Sequence, residues 1–328
     1  MKAIHSRNLG KDEVLEEFGC VVGVKDASFS ISKGEIFCIM GLSGSGKSTL
    51  IRHINRLIEP TAGDVFINGD NVNKLNAKDL RELRASHIGM VFQNMALMPH
   101  RNVADNVTYS LEVRRVAKEK RAEVAEKTIQ AVGLEGWADR YPDELSGGMQ
   151  QRVGLARAIA ADPEILLMDE PFSALDPLIR RQLQDQFMHL ASNMHKTTLF
   201  ITHDLDEAIR IGDRIAIMKD GELVQIGTPE NIVTEPVDDY VKDFVAGISN
   251  LNLVTAARVM EPVEAYTQRE GSIPEDALVA RPQDDLDTLA NLSIETNAPL
   301  AVKDDGKIVG VVTKKSLIRG IQGKWDQL

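Results

Sequence analysis

A phosphate-binding loop at Gly41–Ser48, with the sequence Gly-Leu-Ser-Gly-Ser-Gly-Lys-Ser, restricts the possible folds of this chain more than any other segment. It fits the pattern G-x-x-x-x-G-K-[ST], follows the apolar run Ile36–Met40 and precedes a helical pattern that starts at Thr49. Its glycines permit backbone angles that turn successive N–H groups into one concavity, and the following helix adds the positive end of its dipole. The sequence therefore predicts a strand, an anion-binding loop and a helix in succession.

Two side chains of this loop have predicted chemical roles. Lys47 is expected to contact the β- and γ-phosphates of a nucleotide, and the Ser48 hydroxyl is expected to ligate Mg²⁺. A Gly-rich turn without a ligand is the alternative, which the strand–loop–helix setting disfavours. The predicted nucleotide-binding residues form one run: Gly41, Leu42, Ser43, Gly44, Ser45, Gly46, Lys47, Ser48 and Thr49.

Two further buried apolar runs end in polar residues. Asp169 and Glu170 follow one run, and His203 follows the other. Chemistry in α/β proteins lies beyond the carboxyl edge of the sheet, so Asp169 is expected to hold the metal, through its water shell. Glu170 is expected to polarise the attacking water, and His203 to contact the γ-phosphate and hold the water in line. Adjacent acids also occur as helix N-caps, and a single His at a strand end also occurs as a structural residue.

The order of the elements predicts an α/β fold. Over the first two-thirds of the chain, short apolar runs alternate with helical patterns, which is typical of a mainly parallel sheet covered by helices. Residues 78–141 are rich in charged residues with helical spacing and show little strand character. This stretch predicts a helical subdomain, at about residues 95–160, inserted into the α/β body.

The tail is predicted to form a second, smaller unit. Glu235-Pro236 interrupts the earlier pattern, and a short helix at 238–244 closes a first domain placed at residues 1–245. Residues 246–328 then hold a linker and a small α+β module. Its predicted elements are a helix at 285–293, strands at 300–302 and 308–312, and a helix at 314–321.

Charge and cysteine content exclude several classes of protein. The chain of 328 residues has 38 Lys and Arg against 49 Asp and Glu, a net charge of −11, so no nucleic-acid partner is expected. No segment approaches the ~20 uncharged apolar residues that a membrane-spanning helix needs. Met1–Arg7 lacks the apolar core of a signal peptide, so a cytoplasmic location is expected. Cys20 and Cys38 are too few for a disulfide framework or a zinc cage.

A second loop directed at phosphate is predicted at Leu145–Gln150, Leu-Ser-Gly-Gly-Met-Gln. Ser146, Gly147 and Gly148 begin a helix, and the exposed N–H groups of a helix start bind anions. Ser146 as a simple helix N-cap is the alternative, but a cap does not require two successive glycines.

These motifs occur in the order and spacing of the ATP-binding cassette (ABC) ATPases. The segments that resemble this superfamily, over about residues 1–245, are Gly41–Ser48, Leu145–Gln150, Ile165–Glu170, Ser173–Asp176 and His203. The resemblance implies an ABC-type P-loop nucleotide-binding domain that hydrolyses ATP with Mg²⁺. It also implies a head-to-tail homodimer, in which the phosphate loop of one copy and Ser146–Gly148 of the other enclose each ATP.

The same resemblance implies roles for residues outside the phosphate loop. Gln93, in Val-Phe-Gln, resembles the Q-loop glutamine that touches Mg²⁺ and water and senses the membrane partner. Asp176 resembles the D-loop acid at the dimer seam, and Gln150 closes the second nucleotide-contacting loop. Phe18 lies where the family places an aromatic ring that stacks on adenine, although this stretch lacks the usual Tyr.

Four segments are similar to the ATPases of glycine betaine/proline-type importers: Asn55–Thr61, Ala96–His100, Phe172–Arg180 and His203–Arg214. This similarity implies a peripheral motor subunit at the cytoplasmic face of the bacterial inner membrane. Its partners would be a membrane permease and, indirectly, a substrate-binding protein. The transported class would be quaternary amines and osmolytes: glycine betaine, proline betaine, choline, carnitine or trimethylamine N-oxide.

The tail resembles one module of the cystathionine-β-synthase (CBS) type, near residues 281–322, where those ATPases carry a tandem pair. This resemblance implies a regulatory or dimerisation module. A soluble or exporter-type ABC ATPase with another partner is the alternative function for the whole chain.

Overall fold

The structure, a computed structural model, describes residues 10–173 and 175–324. Ala174 of the Ser173–Asp176 motif and the Met1–Arg7 segment therefore lie outside the described residues. The chain divides into two compact units between Thr228 and Pro229, whereas the sequence pattern predicts the division after residue 245.

The first unit is built on a six-stranded sheet. Its strands are β1 (Ile36–Met40), β4 (Ile88–Val91), β5 (Ile165–Asp169), β6 (Thr197–Thr202), β7 (Arg214–Lys219) and β8 (Glu222–Gly227). The spatial order is β4-β5-β6-β1-β7-β8, and all strands run parallel except β8, which pairs antiparallel with β7. The central strands are nearly continuous apolar runs because helices cover both faces of a parallel sheet. The predicted α/β fold with a mainly parallel sheet is confirmed.

Short elements and helices complete this unit. The hairpin strands β2 (Phe66–Ile67) and β3 (Asp70–Asn71) pair antiparallel. The helices are α1 (Lys11–Phe18), α2 (Lys47–Ile54), α3 (Ala77–Ser86), α4 (Val103–Val107), α5 (Tyr109–Val113), α6 (Lys118–Ala131), α7 (Gly147–Ile159), α8 (Pro177–Met194) and α9 (Leu205–Ile211). Between β4 and β5 the chain is helical, and α4, α6 and α7 pack on one another.

Strand β4 corrects the expectation of little strand character in residues 78–141. Four residues, Ile-Gly-Met-Val, pair in parallel with β5. A Cβ atom on Gly89 would lie 2.3 Å from the carbonyl oxygen of Ala158, so glycine is needed where α7 crosses this strand. So short a run between a charged helix and a polar loop gives little periodicity, and the tertiary contact with α7 makes it a strand.

Register places the functional loops at one edge of the sheet. Met40 of β1 lies beside Thr202 of β6, and Asp169 of β5 lies beside Ile201. The residues that follow these strands therefore leave the sheet side by side, at its carboxyl edge.

The second unit contains a three-stranded sheet in the order β11-β10-β9. Its elements are α10 (Pro229–Thr234), α11 (Asp239–Val245), α12 (Ala256–Val259), α13 (Val263–Glu270), β9 (Val279–Ala280), α14 (Leu286–Glu295), β10 (Leu300–Asp304), β11 (Lys307–Val312) and α15 (Lys314–Ile321). The two helices and two strands predicted between residues 285 and 321 are present. The core is formed by apolar side chains such as Val254, Leu286, Leu300, Val302 and Val312.

Polar contacts explain why the second unit begins at Pro229. Glu230 of α10 accepts hydrogen bonds from the backbone N–H and the hydroxyl of Thr255, at 3.1 and 3.2 Å. Glu235 forms an ion pair with Arg258 of α12 at 2.7 Å. Helix α10 is therefore tied to the elements that follow it.

Among the helices that the structure describes, none combines the length and apolar character needed to cross a bilayer.

Candidate active site

The backbone of Gly41–Ser48 has room only for glycine at two positions. Gly41 has φ 153° and Gly46 has φ 107°, in the region that favours glycine. A Cβ atom would lie 2.1 Å from the carbonyl oxygen of Met218 at the first position, and 2.0 Å from that of Gly23 at the second. The loop is therefore wedged between two backbone segments, which fixes its concavity at the end of β1.

The loop contains a buried lysine and a buried hydroxyl. Lys47 is 4% exposed, and its Nζ donates to the carbonyl oxygens of Gly41 and Leu42 at 2.8 and 3.0 Å. Burial lowers the pKa of Lys47 below its usual value, although the carboxylates of Glu170 and Asp169 act in the opposite direction. The Ser45 hydroxyl is buried and has no hydrogen-bond partner within the described part of the chain. Phosphate oxygens would pair with Lys47 and with the converging backbone N–H groups, so the loop fits a nucleotide phosphate.

A hydroxyl and a carboxylate meet at the start of α2. The Ser48 hydroxyl donates to Oδ1 of Asp169 at 2.7 Å, and Asp169 is fully buried at the end of β5. Both groups are hard oxygen donors of the kind that Mg²⁺ prefers, so this pair fits the predicted metal.

Arg52 also contacts this pair, although no sequence motif predicts it. Its Nη2 donates to Oδ2 of Asp169 at 3.3 Å, opposite the oxygen that Ser48 contacts. Ser48 and Arg52 are four residues apart on α2, and this spacing places both side chains on one helix face. This spacing was the one sequence feature that could have predicted that Arg52 lies near Asp169.

Glu170 follows β5 and contacts residues that follow the two neighbouring strands, β4 and β6. Its side chain is 15% exposed, and its Oε2 accepts a hydrogen bond from Nε2 of Gln93 at 3.4 Å. Nδ1 of His203 lies 3.1 Å from the same oxygen, and in the tautomer with a proton on Nδ1 it donates there. Because β4, β5 and β6 are neighbours in the sheet, the residues that follow them converge. The structure thus brings together Gln93, Glu170 and His203, as well as Ser48 and Asp169.

A cavity of about 770 Å³ lies beside the phosphate loop. Val14 and Phe18 of α1 line it together with Thr49 and His53 of α2, and Phe18 is 46% exposed. Lys11 of α1 donates from Nζ to the carbonyl oxygen of Gly44 at 2.9 Å, so this helix is tied to the loop. Lys11 was also missed, since it belongs to no motif. The predicted stacking residue therefore lines a space large enough for a nucleobase.

The polar side chains of the second predicted loop make local hydrogen bonds, and Gly148 lies against Leu175 and Ile179. Ser146 is the N-cap of α7 and accepts a hydrogen bond from the backbone N–H of Met149 at 3.4 Å. Gly147 is exposed, with no heavy atom within 4 Å of its would-be Cβ. Gln150 donates from Nε2 to the carbonyl oxygen of Pro142 at 2.8 Å.

Asp176 likewise caps a helix, since its Oδ1 accepts from the backbone N–H of Ile179 at 3.1 Å. In residues 10–173 and 175–324, the side chains of Ser146, Gln150 and Asp176 make their hydrogen bonds within their own segments. The structure does not bring them to Gly41–Ser48.

This chain is similar to known proteins over most of its length. The family model described as ABC transporter matches residues 24–173. The glycine betaine transport ATP-binding protein OpuAA of Bacillus subtilis is 50% identical over 302 residues, which are 92% of this chain and 69% of that protein. The trimethylamine N-oxide transport system ATP-binding protein TmoW of Pelagibacter ubique is 42% identical over 98% of this chain and 92% of its own length.

A solved ATP-binding cassette is similar to this chain in both sequence and structure. The dimeric post-hydrolysis structure of the ATP-binding cassette MJ0796, bound to ADP and Pi, is 36% identical in sequence and superposes with a TM-score of 0.60. The match covers 63% of this chain and 90% of that chain.

Proposed function

Because this chain belongs to the ABC transporter family, whose similar members are ATP-binding transport proteins, we propose that it is the ATP-hydrolysing subunit of a quaternary amine importer. The observation that carries the proposal is the convergence of Gln93, Glu170 and His203 beside the Ser48–Asp169 pair at the sheet edge. That convergence supplies a water-activating carboxylate next to a phosphate-binding concavity. The transported class, glycine betaine or trimethylamine N-oxide and related compounds, is supported by the relatives.

Each side chain has a distinct part in the proposed hydrolysis. The loop N–H groups and Lys47 bind the β- and γ-phosphates. Glu170 accepts a proton from the attacking water at its carboxylate, while Gln93 and His203 orient that carboxylate. Catalysis of phosphoryl transfer is mostly positioning and charge neutralisation. The protein therefore contributes by holding these groups in place, and it forms no covalent bond to the phosphate.

Magnesium is part of the proposal. Ser48, Asp169 and Gln93 would hold it, and the first two are already in contact. When bound, the ion neutralises charge that develops on the phosphate oxygens. Arg52 donates to the other carboxylate oxygen of Asp169, Oδ2, and so helps to hold this side chain in place.

We expect the active form to be a head-to-tail homodimer at the cytoplasmic face of the inner membrane, bound to a permease and indirectly to a substrate-binding protein. The dimeric MJ0796 cassette supports the dimer. The residues that would act on the nucleotide of the partner copy are Ser146, Gly147, Gly148, Gln150 and Asp176. In support, the side-chain hydrogen bonds of Ser146, Gln150 and Asp176 stay within their own segments. The tail, at 246–328, is proposed as a CBS-like regulatory or dimerisation module.

The function is tested by uptake in the native host. A strain in which the gene is deleted should lose uptake of labelled glycine betaine or trimethylamine N-oxide, with proline betaine, choline and carnitine tested as alternatives. The parent gene should restore uptake, and Glu170→Gln should not. A deletion strain that takes up all five compounds at the parental rate would contradict the importer function.

Phe18 offers a test of the base site. Stacking of a base on an aromatic ring contributes about 1–3 kcal/mol, so Phe18→Ala should raise the Kd for ATP about tenfold. Inorganic tripolyphosphate, which has no base, should bind Phe18→Ala and the parent equally well. Both constants can be measured by titration calorimetry.

Phe66→Ala is the matched control, because Phe66 is also exposed but lies on β2, outside the residues that line the cavity. It should leave the Kd for ATP unchanged. If Phe18→Ala binds ATP as tightly as Phe66→Ala does, Phe18 does not stack on the base.

A further inference from the structure

The loop that follows Gln93 has a strained backbone. Met95 has φ 55° and Ala96 has φ 48°, so two successive residues with side chains occupy the left-handed region. A side chain clashes with the backbone in this region, and single residues other than glycine visit it at a cost in free energy. Two in succession persist only where surrounding contacts hold them.

Arg157 of α7 supplies those contacts. Its Nη2 donates to the carbonyl oxygen of Met95, and its Nη1 donates to that of Ala96, each at 2.6 Å. The planar guanidinium fork spans two neighbouring carbonyls, which a lysine ammonium cannot do in the same geometry. Burial lowers the pKa of Arg157, because its guanidinium is withdrawn from water.

The far end of the same loop is held by Asn106 of α4. Asn106 is fully buried; its Nδ2 lies within hydrogen-bond distance of three carbonyl oxygens and its Oδ1 accepts from the N–H of Met98. The three carbonyls belong to Met98, Arg101 and Asn102. The loop is therefore fixed at both ends to α4 and α7, which pack on one another.

We propose that Arg157 is a positioning residue for ATP hydrolysis, which holds Met95 and Ala96 left-handed and thereby fixes where Gln93 meets Glu170. The Gln93–Glu170 hydrogen bond is 3.4 Å long, so a small displacement of the loop breaks it. Arg157 lies on the helix that begins at Gly147. The position of Gln93 therefore depends on the position of that helix. This inference rests on the proposed function, in which Glu170 activates water.

The test compares two arginines of α7 that both donate to backbone carbonyls. Arg157→Ala should lower kcat about 10- to 100-fold and change the KM for ATP less than about threefold, because misplacement of a positioning group acts on the chemical step. Arg157→Lys should recover little of kcat. Arg152→Ala loses contacts to the carbonyls of Val132 and Gly133 and none to the loop after Gln93, so it should keep kcat within about twofold.

Rescue separates the positioning role from a merely structural one. Glycine adopts the left-handed region without strain, so Ala96→Gly in the Arg157→Ala background should recover kcat at least about threefold. The inference is overturned if Arg157→Ala keeps the parental kcat, or if its loss equals that of Arg152→Ala and Ala96→Gly does not relieve it.

Amide hydrogen exchange measures how often the loop after Gln93 opens, and it does so without ATP. Arg157→Ala should speed exchange at residues 94–97 about tenfold or more, while the amides of α7 stay protected. Unchanged exchange at 94–97 overturns the inference. If exchange rises but the parent itself does not hydrolyse ATP, the proposed function fails, and Arg157 keeps only its hold on the loop.

Discussion

Glu170→Gln should bind ATP with a Kd within about threefold of the parental value and lose about 10²–10⁴-fold in kcat. Glutamine keeps the size of the side chain and its contacts with Gln93 and His203, but it cannot accept a proton from water. Steady-state hydrolysis at saturating ATP measures the loss, and size-exclusion chromatography with light scattering should show a dimer that persists with Mg²⁺-ATP.

Glu164→Gln is the matched control for this variant. Glu164 directly precedes β5, at the opposite end of the strand from Glu170, and accepts a hydrogen bond from Asn68 at 2.8 Å. The same substitution there should leave kcat within about twofold. If Glu170→Gln hydrolyses ATP as fast as Glu164→Gln does, the water is activated by another group and the mechanism proposed for this edge is wrong.

The parts of the site that could be predicted from sequence are those encoded by contiguous residues. Gly41–Ser48 is a single run, and Asp169, Glu170 and His203 each directly follow an apolar run that reads as a buried strand. Local sequence fixes both the strand and what comes after it, and parallel pairing then brings the strand ends together. The same reasoning explains why the α/β class was predictable.

The parts that could not be predicted depend on tertiary contacts between distant segments. Lys11 reaches Gly44 from a helix that belongs to no motif, and Arg157 reaches Met95 across 62 residues of sequence. Strand β4 was not predicted because it has little local periodicity. Its glycine is required by the close approach of α7, which the sequence alone does not show. Such partners are set by packing, which a single sequence does not display.

Gly46 is the loop position where substitution should do most damage. Its φ of 107° is strained for any residue with a side chain, and a Cβ atom there would lie 2.0 Å from the backbone oxygen of Gly23, which cannot rotate away. Backbone strain of this kind costs about 1–3 kcal/mol, and overpacking adds about 1–3 kcal/mol. A Cβ atom at position 46 would cause both the backbone strain and the collision. Either the loop then shifts or the first unit loses stability.

Gly46→Ala should therefore lose about 3 kcal/mol or more of unfolding free energy in urea, or raise the Kd for ATP at least about 100-fold because the N–H groups no longer converge. Urea unfolding and calorimetric titration distinguish these results. Gly69→Ala is the control: Gly69 has φ 89° in the turn between β2 and β3, with no heavy atom within 4 Å of its would-be Cβ. It has the strain without the collision, so it should cost about 1 kcal/mol and leave ATP binding intact. Gly46→Ala behaving like Gly69→Ala in both assays would show that the loop tolerates a side chain at this position, contrary to the close approach of Gly23.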